Sequence, residues 1–217
     1  MNLETLLPTI YNYILLIPIC IAYFKKNVLL EELNHLLFLL IGSFLIGFLE
    51  AYLPVKSWFG LNNNYFLTYF LVYFSFYLKY KIFEKISTKK NANYSRGFLY
   101  LSPLILPILI IFNGNDFISF SILRIIEAGY SIWLSFTYMI NLYRYYSGDS
   151  LRNEPMFWAA NGILGLGVVN FIFYSFANSF FNYSVDLFRY LANFYLPIIY
   201  SFFYLFFAVS YTNLKQK

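Results

Sequence analysis

Residues 117–146 read FISFSILRIIEAGYSIWLSFTYMINLYRYY, a stretch in which only Arg124, Glu127 and Arg144 carry charge. A helix of this length spans the roughly 30 Å of a bilayer's hydrocarbon core with turns to spare. Arg124 and Glu127 stand three residues apart, so they are neighbours on one helical surface. From Ser121 the same surface carries Arg124, Ala128, Ser131, Ser135 and Tyr138 at helical spacing. An ionisable group held in hydrocarbon costs roughly 2.5–3.5 kcal/mol on insertion scales, so this stripe is expected to face other helices and not lipid.

The rest of the chain has the same character. Of its 217 residues 60% are apolar and 24% aromatic, and only 12% are charged, against about 25% charged in soluble domains. Apolar runs recur at about 6–24, 35–54, 64–84, 97–113, 117–146, 155–178 and 186–212. The expected fold class is all-α: a seven-transmembrane-helix bundle forming a single integral membrane domain over residues 1–217. Pro103 and Pro107 fall inside the fourth run, which membrane helices tolerate when a neighbour or a Ser hydroxyl satisfies the freed carbonyl. Asn113-Gly114-Asn115-Asp116 marks a tight turn into the fifth run. The N-terminal residues Met1–Glu4 lack the positive region of a secretory signal, so the first run is read as a retained helix. Cys20 lies within that run and, as the single cysteine, forms no internal disulfide.

Basic residues concentrate in cytoplasmic loops of membrane proteins, and their distribution here is one-sided. Seven spans put Lys25, Lys26, Lys79, Lys81, Lys85, Lys89, Lys90, Arg96, Arg144, Arg152, Lys215 and Lys217 on one face and only Lys56 on the other. The N-terminus is therefore expected outside and the C-terminus in the cytoplasm. Six or eight spans would scatter the set over both faces. The formal charge of +5 is a topology signal and not a nucleic-acid footprint.

Four charges need explanation as intramembrane groups: Glu50 near the end of the second run, Arg124 and Glu127 on the fifth, and Arg189 on the seventh. With alternating helix directions all four are expected at one depth, in the outer part of the bilayer. The seventh run offers a matching stripe of Arg189, Asn193, Pro197, Tyr200 and Tyr204, and the sixth supplies Asn161, Gly165, Asn170 and Tyr174. Gly162, Gly165 and Gly167 would admit a neighbouring backbone. Two readings stay open. The acids and arginines form a filled ion-pair network that fixes register, or they line a pocket in which Arg124 and Arg189 clamp an anionic group, with Glu50 and Glu127 as counter-charges and Asn161 and Asn193 as hydrogen-bond donors.

The common chemistries lack their required groups. There is no zinc-protease motif, cysteine cluster, nucleophile elbow or phosphate-binding loop. The single histidine, His35, sits at the start of the second run, and no lysine in the interior of the seventh could hold retinal. The expectation is a non-enzymatic protein with no cofactor and no metal.

Three pieces carry a likeness to a known group. They are Ser121-x-x-Arg124-x-x-Glu127 followed by a Ser- and Tyr-rich run, Pro155-x-Phe157-Trp158-x-x-x-Gly162 after a loop, and a long aromatic helix before a short basic tail. In these the chain resembles small seven-transmembrane-helix proteins of Bacteroidetes-type bacteria, some associated with histidine kinases. That family is expected to carry a polar or acidic position within the third helix, where this chain has Tyr69, Tyr73 and Ser75. The resemblance implies a sensor-like membrane domain, and the expected function is that of a receptor-like or accessory subunit, which binds a small or lipidic ligand in the outer half of the bundle and acts on a membrane or cytoplasmic partner through its basic loops. A small transporter and a structural subunit of a membrane assembly are the alternatives.

Overall fold

A computed structural model describes residues 3–52, 65–85, 89–113, 116–145 and 150–214. Among them are seven helices and no strand: α1 (Leu3–Phe24), α2 (Glu31–Tyr52), α3 (Tyr65–Glu84), α4 (Lys89–Asn113), α5 (Asp116–Tyr145), α6 (Pro155–Tyr183) and α7 (Val185–Thr212). Short 3₁₀ turns lie at Lys26–Val28 and Leu151–Asn153.

Local chemistry fixes several boundaries. Glu31 and Glu32 occupy the first turn of α2, where carboxylates complement the helix dipole. Pro155 opens α6, a position at which its missing N–H costs nothing. At Ser184 the chain leaves α6 in an extended conformation, and the Ser184 hydroxyl accepts the Leu187 N–H at 3.2 Å to cap α7. In α4, Pro103 cannot donate to the Leu99 carbonyl, and the Ser102 hydroxyl donates to it instead at 2.9 Å. The helix continues through both prolines.

Each helix packs on the next, and α7 returns to α1, closing a ring in chain order. Contacts of α3 with α5 leave α4 at the periphery. The core runs through the ring interior, from Leu15 and Leu33 through Phe76, Phe83 and Leu123 to Ala160, Phe207 and Tyr211. The expected inward stripe of α5 is buried at Ser121, Ala128, Ser131, Ser135 and Tyr138.

One end of the ring is tied together by polar contacts. Lys25 Nζ donates to the carbonyls of Thr212 and Leu214 at 2.6 and 2.9 Å, capping the C-terminus of α7. Asn213 Nδ2 and Trp158 Nε1 both donate to the Arg152 carbonyl, and the Ser210 hydroxyl donates to that of Pro155. Lys85 pairs with Glu31, and Arg96 with Glu84 at 3.2 Å. These contacts bring the ends of α1, α3 and α7 to the starts of α2, α4 and α6, gathering most of the described basic residues at one pole.

Two helices among the described residues, α6 and α7, are long and apolar enough to cross a membrane. The other helices expected to span are not counted on the described residues. Within α1, Tyr13–Phe24 is a shorter apolar helix among the described residues. The most apolar windows of α6 and α7 are only 33% and 22% buried, so large side chains such as Ile172, Phe176, Ile198 and Phe202 face outward.

Candidate functional site

The centre of the ring holds a cavity of about 240 Å³ between α2, α3, α5, α6 and α7. Its charged wall is built by two helices. On α5, Arg124 and Glu127 lie on one surface, with Arg124 Nη1 at 3.3 Å from Glu127 Oε2. On α3, Ser75 and Lys79 are one turn apart. Because side chains on a helix tilt toward its N-terminus, Lys79 reaches back to the level of Ser75. Both therefore meet the same oxygen, Glu127 Oε1: the Ser75 hydroxyl donates at 2.7 Å and Lys79 forms a close ion pair. Lys79 also donates to the Ser131 hydroxyl at 2.8 Å, and that hydroxyl donates to the Glu127 carbonyl one turn back.

Glu127 is 4% exposed at its side chain, Lys79 12% and Arg124 16%, so all three charges are largely withdrawn from solvent. Arg124 lies over the rings of Phe120 and Tyr174, with centroids at 5.3 and 5.9 Å, a cation–π arrangement that partly replaces its lost hydration. Across the cavity the Tyr200 hydroxyl donates to Asn170 Oδ1. Leu39, Leu40, Ile163, Leu166 and Phe207 supply the apolar wall.

The structure unites only part of the expected constellation. Arg124 and Glu127 line the cavity. Arg189 does not; its side chain is 69% exposed and faces Asp186 at 3.9 Å. Asn193 is exposed as well. The reason lies in the backbone: Leu191–Tyr195 form a π-helical segment directly before Pro197. Proline clashes with the carbonyl four residues earlier, and the wider turn inserts one residue that rotates everything before it relative to everything after it. The stripe of Arg189, Asn193, Pro197, Tyr200 and Tyr204 is thereby broken: its last three members face inward and its first two do not. Asn161 instead donates to the Phe157 carbonyl within α6 at 2.8 Å and lies outside the cavity wall. Glu50 falls in the last turn of α2, one turn beyond the cavity residue Ile46, and its side chain is outside the described residues.

Arg124 and Glu127 lie in the first half of α5 and meet α3 in its second half, at Ser75 and Lys79. Lys79, counted from sequence among the loop cations, belongs to this cluster. The spacing Ser75-x-x-x-Lys79 next to a missing acidic position was the available signal. Of the small residues, Gly167 lets the Ala128 carbonyl of α5 come within 3.3 Å of where a Cβ would stand, while Gly162 and Gly165 accept the rings of Phe207 and Phe203. Compared with protein families, curated proteins and solved structures, the chain has no match in any of the three. The family likeness therefore rests on its motif residues alone.

Proposed function

We propose that this chain is a seven-span protein of the bacterial cytoplasmic membrane, a non-enzymatic receptor-like or accessory sensor subunit. It binds a small or lipidic ligand in the central cavity and passes occupancy to a membrane or cytoplasmic partner. The observation that carries this reading is a mid-bundle cavity with Lys79, Arg124 and Glu127 in its wall. A concave site with a few convergent charged groups on a largely apolar wall is the usual form of a small-molecule binding site.

The spanning topology draws support from the outward apolar faces of α6 and α7 and from the basic pole, which reads as the cytoplasmic end. Moving Lys79 into the bundle leaves the remaining loop cations as one-sided as before. The charge cluster joins α3 to α5, so a ligand competing for Arg124 or Lys79 would alter that joint and carry a signal along both helices to their basic ends. A permeation path is less supported: Phe83, Tyr138 and Tyr211 are buried between the cavity and the basic pole and fill it.

The test is a thermal-shift panel of small charged and neutral amphiphiles on the full chain in zwitterionic nanodiscs, run beside Leu166→Trp, which fills the cavity. At least one compound should raise the wild-type melting temperature and leave Leu166→Trp unmoved. A panel without any binder would sink the reading.

A further inference from the structure

The two cations of the cavity are not equally satisfied. Lys79 has both the Glu127 carboxylate and the Ser131 hydroxyl. Arg124 has one long contact, Nη1 to Glu127 Oε2 at 3.3 Å, where charge-assisted bonds ordinarily measure about 2.7–2.9 Å. Its Nε is buried and donates to nothing. Glu127 is meanwhile committed on its other oxygen to Ser75 and Lys79. Among the described residues the cavity wall thus holds two positive charges against one negative, and the surplus resides on the guanidinium. An uncompensated buried charge is costly by several kcal/mol, and a bound anion would relieve it.

The shape of the site narrows the anion. A guanidinium presents a planar fork that matches a carboxylate, with two parallel N–H donors. Arg124 forms part of the cavity wall, and Leu39, Leu40, Ile163 and Leu166 supply an aliphatic part of it. That contrast asks for a ligand polar at one end and apolar along its body. A dry cavity of about 150 Å³ takes benzene. The 240 Å³ present here would by the same scale accept roughly ten non-hydrogen atoms. A two-chain phospholipid is several times too large.

We propose that the cavity binds a small monocarboxylate with an apolar body, its carboxylate on Arg124 and its chain against the aliphatic wall. This rests on the cavity being a ligand site, as proposed above, and assigns the class of ligand it takes. Octanoate, of the right size and charge, is the probe.

Binding to the full chain is measured by isothermal titration in zwitterionic nanodiscs, with octanamide and octanol as neutral analogues of matched length. Octanoate should bind, and both analogues should bind at least about tenfold more weakly, the loss expected when a charged hydrogen bond is removed. Arg124→Gln should lower octanoate affinity by a similar factor, and Arg124→Lys, which keeps the charge but not the fork, by less. If Arg124→Gln does not accumulate, Leu166→Trp tests the same pose from the apolar side and should abolish binding. Equal binding of octanamide and octanoate would overturn the carboxylate assignment and leave the ligand site standing. Octanoate binding indifferent to both Arg124→Gln and Leu166→Trp would overturn the pose, as would occupancy found only in nanodiscs of anionic phospholipid, which would point to a bilayer lipid instead. Absence of binding by all three probes would overturn the assignment, while a different binder in the wider panel would keep the cavity as a ligand site.

Discussion

Lys79 and Lys81 stand two residues apart on α3 and belong to networks of the same chemistry in opposite surroundings. Lys79 enters the ring and meets Glu127, Ser75 and Ser131 in a site largely closed to water. Lys81 stays at the basic pole, where Glu84 accepts from it at 2.7 Å, from the Tyr80 hydroxyl at 2.5 Å and from Arg96 at 3.2 Å. Counting ion pairs would rank the two alike. Their surroundings do not: exposed pairs contribute about 0–1 kcal/mol, whereas breaking a buried pair on one side costs about 3–5 kcal/mol because the remaining charge stays buried. The mid-bundle network also borders the central cavity.

The sharpest way to break this contrast is Glu127→Ala, which leaves Lys79 and Arg124 facing each other without a counter-charge. Stability should fall by about 3–5 kcal/mol, read as the unfolding midpoint in a mild detergent. A loss under about 1 kcal/mol would mean water reaches the cluster freely. Next in size is Ser75→Ala, which removes one hydrogen bond to the buried carboxylate and should cost about 1.5–3 kcal/mol by the same measurement.

Lys25→Met tests the pole at its best-built contact, the cap on the α7 carbonyls. It should cost about 0.3–1 kcal/mol, visible as faster amide exchange in the last turn of α7. Lys81→Ala should change stability by no more than about 0.5 kcal/mol and lose even that in high salt, since exposed pairs are screened. The smallest effect is the pH response of the α2–α3 corner. Lys85 beside Glu31 holds that carboxyl below its ordinary range. A lowered carboxylate contributes stability above its unfolded value and loses it as pH falls through the folded one. Amide exchange at the start of α2 should therefore be flat through neutral and mildly acidic pH and rise only in strong acid, and Lys85→Met should move that rise toward neutrality.

Much of the architecture is legible in the residues. Helix positions follow from the lengths of the apolar runs, and the inward face of α5 from the spacing of Ser121, Arg124, Ala128 and Ser131. The failures are as specific. Arg189 and Asn193 lie at the right spacing to join Tyr200 and Tyr204, yet a single π turn before Pro197 rotates them away. Lys79 looks like a loop cation because it ends an apolar run, and only the position of Glu127 on a neighbouring helix draws it inward.

What the sequence determined by itself is the class of element and which side of α5 turns inward, because both are set by properties repeating along one chain segment: length, hydropathy and a period near 3.6 residues. What only the tertiary structure decided is which charges share a cavity. That depends on the relative rotation and depth of separate helices, and one inserted residue in α7 or one long side chain on α3 is enough to change it.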